Sequence, residues 1–128
     1  MYTTADFIEQ LLTEFPELRD DVESEAGLLH NQMHAFTRLT NDAVAAGDYR
    51  ALKRYFAFAD RFFHHSDDFL ENALSVSYLE DLDFTGRHGE GAEALLSAKL
   101  RQGRRQVLQY LDEITRKSDT KTGDSRNA

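Results

Sequence analysis

There is no cysteine among the 128 residues. The chain can therefore form no disulfide and no thiolate zinc site, and it has no thiol nucleophile. Any metal would have to rest on histidine and carboxylates. Proline occurs once, at Pro16, and strand-like alternation of apolar and polar residues is essentially missing. No apolar run approaches the roughly 20 residues of a membrane-spanning helix. The start, Met1-Tyr2-Thr3, lacks the basic-then-apolar order of a secretory signal, so a cytoplasmic protein without a membrane partner is expected. Basic residues are the minority, 15 Lys and Arg against 23 Asp and Glu, for a net charge of −8. A surface of that sign repels phosphate backbones, which argues against direct nucleic-acid binding.

What is present fits one globular domain, with 41% hydrophobic and 30% charged residues. The charge is lopsided: residues 1–84 hold 17 acidic and 6 basic side chains, −11, and residues 85–128 hold 6 and 9, +3.

Helical periodicity runs through most of the chain. Thr3 or Thr4 is placed to cap a first helix carrying Phe7, Ile8, Leu11, Leu12 and Phe15, closed at Pro16. A long second helix is predicted from Glu17 to Ala46, its stripe Val22, Ala26, Leu29, Met33, Phe36, Thr40 and Ala43, ended by Gly47. Asp48 caps a third helix whose inward set is Tyr49, Leu52, Tyr55, Phe56, Ala59, Phe62 and Phe63. Ser66 or Asp67 caps a fourth with Phe69, Leu70, Ala73, Leu74, Val76 and Ser77 inward. A flexible loop, Thr85 to Gly91, leads to a fifth helix with the stripe Ala92, Leu96, Leu100, Gly103, Val107, Tyr110, Leu111 and Ile114. The expectation is an all-α, single-domain antiparallel bundle or short array of about five helices over residues 1–117, with a polar, disordered tail over 118–128.

Chemistry is sparse. His30 and His34 stand four apart, and His64 stands four before Asp68, spacings that could chelate a metal or serve a metal-dependent bundle enzyme. The helical wheel, however, turns His34 off the core stripe and His64 onto a charged face, so no metal, cofactor or catalytic residue is assigned. The serines lack the strand and sharp glycine turn of a hydrolase elbow. The glycine loop follows no strand and lacks a Gly-Lys-Ser/Thr ending. Arg101, Arg104, Arg105, Arg116, Lys117 and Lys121 form a basic segment without interleaved aromatics, which reads as a solvated helix back. Three acidic groups remain: Asp20, Asp21, Glu23 and Glu25; Asp67, Asp68 and Glu71; and Glu80, Asp81 and Asp83. If the helices bring them together they form a negative docking edge for a basic partner.

The stretch Asn-Ala-Leu-Ser-Val-Ser-Tyr-Leu-Glu-Asp-Leu-Asp-Phe at 72–84, with Phe7-Ile8-Glu9 and Phe15-Pro16-Glu17-Leu18, resembles a bacterial family of small helical domains of unknown function. The resemblance covers most of residues 5–115. Members of that family look like neighbours of polymorphic-toxin genes, which implies an immunity protein that occludes the active site of a cognate toxin, its cleft basic. The alternative from the residues alone is an adaptor module, monomer or homodimer, pairing through the wide aromatic face of the third helix.

Overall fold

Thr3 sets the first boundary in this computed structural model. Its hydroxyl accepts from the Asp6 N–H at 3.3 Å, and the Asp6 carboxylate accepts from the Thr3 N–H at 2.9 Å. This reciprocal capping satisfies two otherwise orphaned donors and starts α1, Thr4–Glu14. Phe7, Leu11 and Leu12 are buried along one side of it. Pro16 then opens a single 3₁₀ turn, Pro16–Leu18. The structure describes residues 1–127, with side chains through residue 116. The polar tail expected at 118–128 lies outside the residues whose side chains are described.

The long second helix expected from Glu17 to Ala46 is two helices. A short α2, Arg19–Ser24, ends in a turn around Gly27, and α3 begins afresh at Leu29 and runs to Ala46. Gly27 sits at φ 84°, a left-handed conformation that glycine adopts without a Cβ penalty. The stripe survives past the break, with Leu29, Met33, Phe36, Thr40 and Ala43 all buried. Ala26, in the turn itself, is exposed. A buried Gln32 closes the join by donating from Nε2 to the Val22 carbonyl at 3.0 Å. The same carbonyl takes the Glu25 N–H at 3.2 Å. Gly47 ends α3 at φ 69°, as its position in the sequence predicts.

Asp48 accepts from the Ala51 N–H at 3.1 Å and starts α4, Tyr49–Phe62. Leu52, Tyr55, Phe56, Phe58, Ala59 and Phe62 are buried. Tyr49, expected inward, is 38% exposed in the first turn. The broad aromatic face of α4 builds the protein's own core. Phe7 meets Phe62 edge-on at 5.1 Å, Phe15 meets Phe58 at 5.3 Å, and Phe36 stacks on Tyr78 at 4.7 Å. Offset and edge contacts of this kind add to the stabilisation from burial alone. The aromatic face considered from the sequence as a homodimer surface is thus covered by the protein's own helices.

Asp67 caps α5, Asp68–Ala73, by accepting from the Leu70 N–H at 2.9 Å. The helix then widens into a π turn, Leu74–Leu79, in which the Glu80 N–H reaches back five residues to the Ser75 carbonyl at 3.0 Å. Three consecutive residues of this turn, Ser77, Tyr78 and Leu79, are buried. Phe69, expected inward, is 60% exposed. The inward stripe is Leu70, Ala73, Leu74 and Ser77, and Phe69 falls one residue off it.

The predicted fifth helix is also divided. A short α6, Gly89–Glu93, is followed by α7, Ala98–Asn127, whose start is capped by the Ser97 hydroxyl accepting from the Leu100 N–H at 3.1 Å. Gly89, inside the segment expected to be a flexible loop, is buried against the Phe84 backbone. Leu96, Leu100 and Val107 are buried, whereas Tyr110 is 61% exposed and Ile114 42% exposed. Among the described residues the fold is all-α, a single domain of seven α-helices with no strand. One isolated bridge fastens the N-terminus, with the Tyr2 N–H on the His65 carbonyl at 2.7 Å and the Asp67 N–H on the Tyr2 carbonyl at 2.9 Å.

Candidate docking surface

The outward face of α3 carries a ladder of polar side chains, Asn31, His34, Arg38 and Asn41, spaced by three or four residues, with His30 beside it. On one flank lies α2 with Asp20 and Asp21 in its first turn and Glu23 in its last. Asp21, Ser24, Glu25, Asn31, His34 and Arg38 line an open groove of about 360 Å³ between the two helices. Asn31 holds Glu25 by donating from Nδ2 to its carboxylate at 3.2 Å.

On the other flank lies the 80–83 segment. His34 Nε2 stands 3.1 Å from the Asp81 carboxylate. Asn41 donates from Nδ2 to the Asp81 carbonyl at 3.0 Å and accepts the Asp83 N–H at 2.9 Å. Asp83 in turn accepts the Thr85 N–H at 2.9 Å and the Thr85 hydroxyl at 2.5 Å. Those two bonds hold the Asp83 carboxyl below its ordinary range. Glu80 moves the other way, because partial burial and the neighbouring Asp81 charge both favour its protonated form.

Two of the three acidic groups thus flank α3, with His34 bonded to Asp81 on one side and lining the groove with Asp21 and Glu25 on the other. Among the described residues no hydrogen bond or ion pair links the third, Asp67, Asp68 and Glu71, to either of them. Asp67 caps its own helix, and the Glu71 carboxylate accepts the backbone N–H of His64 at 2.5 Å. His64 has a positive φ of 71°, unusual for a residue with a side chain, and Glu71 holds that turn.

The carboxylates are only partly used internally. Glu23 pairs with Arg19 at 2.7 Å, Asp81 lies against His34, and Glu71 lies 3.7 Å from the His64 ring. Among the described residues Asp20, Asp21, Glu25, Asp68 and Glu80 make no ion pair, so their field is open to solvent.

The histidines are dispersed. His30 Nδ1 is 2.6 Å from the buried Ser77 hydroxyl, 
His34 is at Asp81, and His64 is at the strained turn. No group of three His, Asp or Glu is placed to hold a metal among the described residues. Beside His30 the surface turns apolar: the Phe69 ring stands edge-on to it at 6.4 Å, and the 55% exposed Leu28 precedes it by two residues at the start of α3. The sequence reading missed both as surface features. The signal for Phe69 was the cap at Asp67, which fixes the helix start and so the phase of its inward stripe.

With the geometry described, the family can be placed. A family model for a domain of unknown function, DUF7674, matches residues 8–112. The chain belongs to the DUF7674 family. The match runs from within α1 to the first half of α7, and takes in the whole acidic edge of this DUF7674 domain. No curated protein and no solved structure shows significant similarity to it. No helix among the described residues is long and apolar enough to cross a membrane.

Proposed function

We propose that this DUF7674 domain is a protein-binding module whose acidic edge along α2, α3 and the 80–83 segment docks a basic partner. In the setting implied by the resemblance to toxin-linked helical domains, that partner is a cognate bacterial toxin, met in the cytoplasm. The domain then acts as its immunity protein by covering a basic active cleft. The observation that carries the reading is the row of unpaired carboxylates, Asp20, Asp21 and Glu25, on an edge that Gln32, Asn31, His34 and Asn41 fasten to α3. Fixed charges of one sign speed encounter with an oppositely charged partner and reject wrong ones. Phe69 and Leu28 supply an apolar anchor beside that edge, of the kind on which binding energy concentrates.

The test is co-expression with the product of the neighbouring open reading frame and a growth readout. Replacing Asp20, Asp21 and Glu25 together by Lys should abolish protection while the circular dichroism spectrum stays helical. Reversal at Asp67, Asp68 and Glu71 forms a second arm and should do less, since Asp67 and Glu71 are committed to local bonds. Full protection by the first triple variant would contradict the placement of the edge.

A further inference from the structure

The start of α7 carries a different chemistry. Where α6 meets α7, Arg101, Arg104 and Arg105 line a small cleft of about 190 Å³ together with Glu93, Leu96 and Leu108. Three guanidinium groups face one carboxylate, a local excess of positive charge on a protein whose net charge is −8.

The guanidinium donors are poorly used. Arg104 donates from Nη2 to the Leu82 carbonyl at 3.4 Å, a long bond, and its Nη1 is 3.6 Å from Glu93, beyond hydrogen-bond reach. Its Nε is buried with no partner among the described residues, although a buried unpaired donor is costly. The Phe84 ring, 4.9 Å from the guanidinium carbon, fixes its plane. Arg101 spends one nitrogen on two long bonds at 3.3 Å, to the Ala94 and Leu96 carbonyls. Arg105 makes no ion pair among the described residues. A guanidinium offers five donors in a planar fork suited to oxyanions. Here three such side chains line one cleft, and the protein acceptors of Arg101 and Arg104 are weak.

We propose that this cleft binds a phosphate-class dianion, either inorganic phosphate or the terminal group of a small phosphate monoester. The cleft is smaller than the roughly 300 Å³ at which drug-sized ligand pockets begin, so it suits one oxyanion group. Leu96 and Leu108 give the organic part of a monoester an apolar wall, which ranks an ester above the free ion. Glu93 opposes the ligand by its charge and competes for Arg104.

The test uses the full chain and two probes, inorganic phosphate and phenyl phosphate, followed by calorimetric titration against chloride at matched ionic strength. The expected result is saturable binding of both, phenyl phosphate the tighter. The double variant Arg101→Gln/Arg105→Gln, both sites exposed, should bind at least about tenfold more weakly, as expected for losing charged hydrogen bonds. Glu93→Gln should bind about two- to fivefold more tightly, as expected for removing one partly exposed like charge. The proposal is overturned if the unaltered protein shows no saturable response beyond chloride. It is equally overturned if Glu93→Gln and the double arginine variant both bind as the unaltered protein does.

Discussion

Tyr78 and Thr40 give a test of how a buried polar pair is wired into the core. Tyr78 is fully buried, its ring stacked on Phe36, and its hydroxyl lies 3.0 Å from the Thr40 hydroxyl. Thr40 has one proton, and it goes to the Phe36 carbonyl at 3.0 Å, so Tyr78 is the donor and Thr40 the acceptor. The two truncations should therefore differ. Tyr78→Phe removes one hydrogen bond but leaves the Thr40 proton satisfied, a loss of about 0.5–1.5 kcal/mol. Thr40→Val keeps the shape but strands the Tyr78 O–H in an apolar core, a loss of about 1–3 kcal/mol. In the double variant no donor is stranded, so adding Thr40→Val to Tyr78→Phe should change little, and the cycle should show coupling about equal to the Thr40→Val loss, about 1–3 kcal/mol. Urea unfolding followed by circular dichroism measures all four proteins, provided the denaturant slope is unchanged. A pH arm adds a second readout. Burial pushes the Tyr78 hydroxyl well above the ordinary tyrosine range. Below about pH 10 it is protonated in both states; above that the unfolded chain ionises first and stability falls, by up to about 1.4 kcal/mol per pH unit per tyrosine. Tyr78→Phe should flatten that alkaline loss. Additive single effects, or a Thr40→Val loss smaller than that of Tyr78→Phe, would refute the assigned direction of the bond.

Other expectations follow from the packing and the edge. A Cβ on the buried Gly103 would stand 2.5 Å from the Phe63 ring, so Gly103→Ala carries an overpacking cost of about 1–3 kcal/mol. Less the roughly 1 kcal/mol that alanine gains in helix propensity, the net loss is up to about 2 kcal/mol, and thermal unfolding showing a stabilised variant would reverse the ranking. Phe69→Ala should leave folding stability within about 0.5 kcal/mol, because the ring is largely exposed. It should weaken partner binding by about 2 kcal/mol or more if Phe69 is the anchor, and calorimetry with the partner reads the difference. Asp83 and Glu80 should show opposite pH dependence. Asp83, held low, stabilises above its ordinary value of 3.8 and loses that contribution as acid protonates it. Asp83→Asn is then less stable at neutral pH, the difference closing in acid. Glu80, held high, lowers stability as pH rises past 4.5, so Glu80→Gln should be the more stable protein at neutral pH and equal to the parent in acid. Unfolding midpoints measured between pH 3 and 7 check both signs.

Helix content and most of the core were legible because they rest on local rules. Thr3, Asp48 and Asp67 announced three helix starts, and spacing alone placed Phe7, Leu11, Met33, Phe36, Leu52 and Leu70 inward. The misread points are those where tertiary contacts override periodicity. Gly27 breaks a stripe that still looks continuous, because Leu29 resumes near the phase that Val22 left, and only Gln32 reaching Val22 shows the fold-back. The π turn at 74–79 shifts the register so that Tyr78 enters the core, a shift no regular period predicts. Phe69 was placed inside because it is apolar, although the helix phase set by Asp67 turns it out. The acidic groups were visible as composition. Their arrangement was not, since it rests on contacts such as His34 to Asp81, residues 47 apart in the chain.

The central claim is that the α2–α3 edge binds a basic protein, and the salt-dependent affinity of the purified pair tests it most directly. Calorimetric titration of the domain with the product of the adjacent open reading frame, at low and physiological ionic strength, should show tight binding that weakens with salt. The Asp20, Asp21 and Glu25 to Lys variant should lose most of that affinity and most of its salt dependence. Binding that is indifferent to both salt and the triple reversal would contradict the account.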